Sequence, residues 1–238
     1  VVDRPGIERA EGGAPAGAIY YAEKAIEHRI DEARKTIMEL FAKFRTIREK
    51  HGVPHREREV ESDPVDALLD ESRYHDLVVT GLRSSLHFAT EEKPEKNLDE
   101  LLHHTITPIL AVPKEPPPLR RALICYDGSL PAARSLQRFA HLAFVPQMEV
   151  KLLVATEQED RGLRLLERAA EYLAAYGARS VEKVVEKGDV EEVVRRHLGE
   201  SDVVVLGVHS RVPVLDFVVG SLTKTLIRSA EVALFMSQ

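Results

Sequence analysis

The sequence predicts an α/β chain of two doubly wound parallel sheets, and three observations predict it. The first is internal repetition. Residues 60–81 (VESDPVDALLDESRYHDLVVTG) lie over 185–207 (VEKGDVEEVVRRHLGESDVVVLG) with one residue inserted, and ELLHHTITPILAVP from Glu100 lies over TLIRSAEVALFMSQ from Thr225. The second is alternation of short apolar runs with stretches of helical period, the pattern of strand-helix-strand units whose right-handed crossovers place helices on both faces of a parallel sheet. The third is punctuation: one apolar run in each repeat, DLVVTG or DVVVLG, ends in glycine and feeds a loop and then a helix. That is the sequence form of a strand-loop-helix binding site.

In the second repeat, 121–238, every element can be justified in order. Residues 123–126 read as a buried strand. Ser129 and Pro131 supply a cap and a first-turn signal for a helix with Ala133, Leu136, Phe139 and Ala140 on one face. A second strand, 150–155, leads to a helix carrying Leu163, Leu166, Ala170 and Leu173 at helical spacing and stopping at Gly177. Val181, Lys183 and Val185 form a third strand, and Val190, Val193, Val194 and Leu198 form the face of the next helix. The fourth strand is 202–206, the last helix 221–229 and the fifth strand 232–236. The expected strand order is 3-2-1-4-5, a five-stranded Rossmann-like sheet.

The first repeat, 1–113, differs. Between Val2 and Val60 it is much longer than the matching part of the second repeat, and most of the excess is one long helix in which Ile26, Ile30, Ala33, Ile37, Phe41 and Phe44 recur at three or four residues until Gly52. If Val1 and Val2 end its second strand, the first strand and first helix are missing from this sequence. A five-stranded unit without its central strand leaves unpaired backbone on both neighbours, so completion from elsewhere is expected. A stiff proline-rich linker at 114–120 joins the repeats. The two fifth strands, 109–112 and 232–236, are expected to pair antiparallel and make an intrachain pseudo-dimer.

Composition narrows the function. With 238 residues and 44% hydrophobic content, two domains can each bury a core. The net charge of −6 with both signs interspersed offers no basic stripe for nucleic acid. The longest weakly charged apolar tract, 212–222, holds Asp216 and is too short to span a membrane. One cysteine, Cys125, rules out an internal disulfide and a cysteine zinc cluster, and fits a reducing cytoplasmic setting. No Ser-His-Asp or Cys-His signature is present.

The functional residues follow from topology. In the order 3-2-1-4-5 a crevice opens between strands one and four, at their carboxyl ends. Its lip is Cys125-Tyr126-Asp127-Gly128-Ser129 and Leu206-Gly207-Val208-His209-Ser210, and after a loop Gly220 and Ser221 open the last helix. Free N–H groups at Ser221 and Leu222, the Ser221 hydroxyl and the positive helix end suit an anion, with Gly220 permitting close approach. Asp127 suits a ribose hydroxyl. Cys125, Ala155 and Leu206 would wall in a base.

With these residues in place, YDGS at 126–129 together with Gly207, a loop and Gly220-Ser221 resembles the universal stress protein family, and two copies in one chain resemble its tandem members. The ATP-binding members have Gly, two residues, Gly, nine residues, then Gly-Ser or Gly-Thr; here Ser210 stands at the second glycine. The resemblance implies an adenine nucleotide, ATP or ADP or AMP, with Mg2+ accompanying it. It implies that Asp127 meets the ribose, the backbone at Ala155 the adenine, and Gly207, Ser210, Gly220, Ser221 and Leu222 the ribose and phosphates. A left-handed conformation at Ser210 would weaken binding roughly tenfold or more. The first repeat has Gly81 and Ser84 in corresponding places, but Glu95-Lys96 replace Gly-Ser and Glu91 and Glu92 crowd the loop, which predicts a degenerate site. The resemblance implies a role in stress response or signalling, with the bound state as the signal. No general base near the γ-phosphate can be named, so efficient hydrolysis is not expected. Two alternatives stand beside this reading: a nucleotide-independent interaction module using the apolar loop 212–219, and a slow ATPase or adenylyl-transferring enzyme. Higher oligomers are left open.

Overall fold

In the computed structural model the described residues are 19–82, 94–208, 221–229 and 231–238, with side chains described from Lys24 and, in the second stretch, from Leu98. They divide into two compact units, one of 1–71 with 85–97 and one of 72–84 with 98–238. The division does not follow the repeats: the last two strands of the first repeat belong with the second repeat.

The larger unit is a seven-stranded sheet. In chain order its strands are β1 (Val78–Gly81), β2 (Ile109–Val112), β3 (Arg121–Cys125), β4 (Glu149–Ala155), β5 (Val181–Glu186), β6 (Val203–Gly207) and β7 (Ala233–Ser237), and their spatial order is β1-β2-β7-β6-β3-β4-β5. The second repeat therefore has the expected order 3-2-1-4-5. All its pairings are parallel, with β3 between β4 and β6. The two fifth strands do pair antiparallel, with Ile109 opposite Met236, Leu110 opposite Phe235 and Ala111 opposite Leu234. Two expected sheets are thus one continuous sheet, because pairing these two edges satisfies a row of backbone groups on each.

The helices α4 (Leu130–His141), α5 (Glu159–Ala175), α6 (Val190–Leu198) and α7 (Ser221–Ser229) connect the strands of the second repeat. Local chemistry sets their starts. The Ser129 side chain accepts the Ala132 N–H and Pro131 occupies the first turn of α4. Asp189 accepts the N–H groups of Glu191 and Glu192 at α6. The strands read as continuous apolar runs because both faces are covered: Val203, Val204 and Val205 are each fully buried. Phe139 and Phe235 meet edge to face at 5.2 Å in the core beneath α4.

Among the described residues the first repeat contributes only β1 and β2, and 53–60 is irregular. β1 is an edge among the described strands.

The smaller unit is dominated by α1 (Ile19–His51), which ends at Gly52 with φ +64°. Its expected apolar stripe is real over one stretch: Ile30, Ala33 and Ile37 are buried, with Ile26 and Phe41 packed against them. Phe44, expected on the same stripe, is 49% exposed. Arg34 pairs with Glu59 and Glu61, and the Arg45 guanidinium donates to Glu57 at 2.6 Å, tying 57–61 to α1. The hydrogen bond from Arg45 holds the Glu57 carboxyl at about 2. Within the unit α2 (Pro64–Ser72) follows, and α3 (Pro94–His104) leads from it into β2.

Candidate functional site

The strands β3 and β6 lie side by side, and their chain successors β4 and β7 lie on opposite sides of the pair. Connections that leave in opposite directions cannot close over the strand ends, and a cavity of about 180 Å³ remains there. Its strand wall is Cys125, Leu153, Ala155 and Leu206. Cys125, Ala155 and Leu206 are the three residues expected to wall in a base. Gly207, Asp127 and Leu222 also line it, so four of the seven residues picked from sequence are brought together: Asp127, Ala155, Gly207 and Leu222. Ser221 is the exposed first residue of α7, beside Leu222 but not in the wall. Ser210 and Gly220 lie outside the described residues, as do His209, Arg211 and Ser84.

Asp127 owes its position to a turn. Gly128, at φ +77°, bends the chain after β3, and one oxygen of the Asp127 carboxylate accepts the Ser129 N–H at 2.9 Å. The other oxygen has no partner among the described residues, and the side chain is exposed at the lip, so it can accept a hydroxyl. Ser129 is committed to capping α4 at 3.4 Å.

Gly207 has a reason the sequence pattern does not show. A Cβ there would stand 2.3 Å from the Ala132 nitrogen and 2.4 Å from the Pro131 carbonyl carbon. The residue lets the first turn of α4 pack on the end of β6. Ser135 one turn later holds the same contact, its hydroxyl donating to the Leu206 carbonyl at 2.7 Å.

Sequence reasoning missed one wall entirely. Val190, Val193 and Val194 of α6 face into the cavity, and Thr223 closes it from α7. A faint signal existed: Val190 directly follows the Asp189 cap and remains 48% exposed, an apolar side chain at a helix start that meets water. Among the described residues the lining contains no lysine or arginine. An apolar slot with one carboxylate at its lip suits a flat heterocycle and a sugar hydroxyl. Burial pushes the Cys125 thiol up to about 12, with the Asp127 charge adding to the rise, so the thiol stays protonated and serves as wall. No group of three or more metal-ligating side chains occurs among the described residues. No described helix is long and apolar enough to cross a membrane.

No protein-family model and no curated protein matches the sequence. Solved structures do. A universal stress protein from Archaeoglobus fulgidus superposes with a TM-score of 0.66 at 20% identity, over 90% of this chain and 82% of that one. A second one from Archaeoglobus fulgidus matches 51% of this chain over all of its own length, at 18% identity and a TM-score of 0.43. A universal stress protein in complex with cAMP matches 50% of this chain and 96% of its own, at 17% identity and a TM-score of 0.43. The first of these establishes that the chain has the universal stress protein fold.

Proposed function

We propose that the crevice at β3 and β6 holds the adenosine part of an adenine nucleotide, and that the chain acts in stress response or signalling as a tandem universal stress protein-like protein. One observation carries the reading. Residues chosen from three separate stretches of sequence, Asp127, Ala155 and Gly207 with Leu222, converge on one cavity at the point where strand order reverses. The apolar slot takes the base, the backbone at Ala155 reads its edge, and the free Asp127 oxygen accepts a ribose hydroxyl. The phosphates of ATP, ADP or AMP, with Mg2+ when present, extend toward Ser210, Gly220 and the start of α7, where the N–H groups of Ser221 and Leu222 and the helix dipole favour negative charge. The second repeat, 121–238, is the binding half; the first, 1–113, is its degenerate partner across the linker 114–120. The chain works in the cytoplasm as an intrachain pseudo-dimer without nucleic-acid or membrane partners. It signals by occupancy and does not depend on turnover.

Calorimetric titration with ATP, ADP and AMP tests this, alongside Leu222→Glu, which sets a carboxylate in the cavity wall. The expected result is saturable binding by the wild-type protein and at least a roughly tenfold loss in the variant. Absence of binding at millimolar nucleotide overturns the proposal.

A further inference from the structure

A second, larger groove lies away from the crevice within the same unit. Its volume is about 520 Å³, within the range of sites for small molecules. One side is a face of α4, where Arg134, Gln137, Arg138 and His141 recur at helical spacing. The other side is Thr105 and Ile106, in the turn between α3 and β2, and Gln238 after β7 forms the floor. The antiparallel junction of β2 and β7 brings these two segments together.

Three features set this groove apart from an ordinary solvated helix face. Its lining among the described residues holds two arginines, a histidine and two amides, and no Asp or Glu side chain. Neither Arg134 nor Arg138 makes an ion pair among the described residues, in a protein of net charge −6. The Gln238 side-chain nitrogen is buried with no acceptor. A buried N–H donor without a partner is costly and marks a place where an acceptor belongs. His141 is held in position, its Nε2 engaged by the hydroxyls of Tyr172 at 3.1 Å and Tyr176 at 2.9 Å, so Nδ1 is the ring nitrogen left for another partner.

We propose that this groove is a binding site for a small ligand bearing two or more phosphate groups. Two guanidinium forks one turn apart on α4 match phosphate oxygens bidentately, and the Gln238 amide supplies a donor from the floor. The site is independent of the adenosine crevice, which lacks cations among its described lining residues.

Inorganic pyrophosphate is the probe, titrated calorimetrically at low ionic strength into the full chain. One saturable site per chain is expected. The double variant Arg134→Gln with Arg138→Gln changes only exposed side chains, and a circular dichroism spectrum verifies its fold. It is expected to weaken pyrophosphate at least about tenfold, as is Gln238→Glu, since each removes charge-assisted bonds or adds repulsion. Adenosine, which has no phosphate, reports on the crevice separately and should bind the arginine double variant as it binds the wild type. No pyrophosphate binding at millimolar concentration, unchanged pyrophosphate binding in the arginine double variant, or equal affinity for citrate would each overturn the proposal.

Discussion

Gly207→Ala is the most informative single change in this protein, because geometry alone dictates its outcome. The added methyl would sit 2.3 Å from the Ala132 nitrogen, where ordinary contacts begin near 3.4 Å, so the first turn of α4 and the end of β6 must part by about 1 Å. Both obstructing atoms are backbone and cannot swing aside. Nor can α4 lift freely: Ala132, Ser135 and Leu136 are buried beneath it, and Ser135 bridges to the Leu206 carbonyl. Forcing a methyl into such a contact costs about 1–3 kcal/mol. In a chain of this size that is a fall in Tm of roughly 2–4 °C for each kcal/mol. The same displacement moves Ser129 and Ala132, which line the crevice, so adenine-nucleotide affinity should fall together with stability. Differential scanning calorimetry and nucleotide titration on the same preparation measure both. A variant with wild-type Tm and affinity would refute the idea that close packing of β6 on α4 shapes the site.

Three further outcomes follow from other parts of the fold. Asp202 is buried, which by itself works against its charge, but the Arg121 guanidinium at 2.7 Å and the N–H groups of Arg120 and Arg121 at 2.9 Å outweigh that and hold its carboxyl below the usual range. A depressed carboxyl contributes stability above its ordinary value near 4 and loses it as pH falls through the folded value, so acid unfolding below about pH 4 should be shallower in Asp202→Asn than in the wild type. A denaturant series at several pH values would show the same slope in both proteins if the carboxylate contributed nothing. Ser135→Ala should lower stability by about 0.5–1.5 kcal/mol through loss of its bond to Leu206, measurable by urea unfolding. The Cys125 thiol, pushed up to about 12, should react with iodoacetamide at pH 8 far more slowly in the folded protein than after unfolding; equal rates would contradict that rise.

Much of the second repeat was legible because its signals are local. Caps at Ser129 and Asp189, the stop at Gly177 and apolar runs bounded by turns depend on residues a few positions apart. Even the join between repeats could be anticipated, since two exposed fifth strands each need a neighbour. The α6 wall of valines, the second purpose of Gly207 and the arginine groove were not legible. Each depends on segments far apart in sequence: 190–194 beside 125 and 206, 207 against 132, and 238 beside 105 and 134.

From its residues alone this chain is a repeated α/β protein whose second half has the strand order 3-2-1-4-5 and a crevice beyond Cys125 and Gly207, because periodicity, caps and chirality leave little choice of topology. Only the tertiary structure decided that the described part of the first repeat contributes two strands to a shared sheet, that Gly207 is a contact between backbones, and that two arginines of α4 share a groove with the Gln238 amide. Those are matters of distance between remote segments, and packing sets such distances after the local elements have formed.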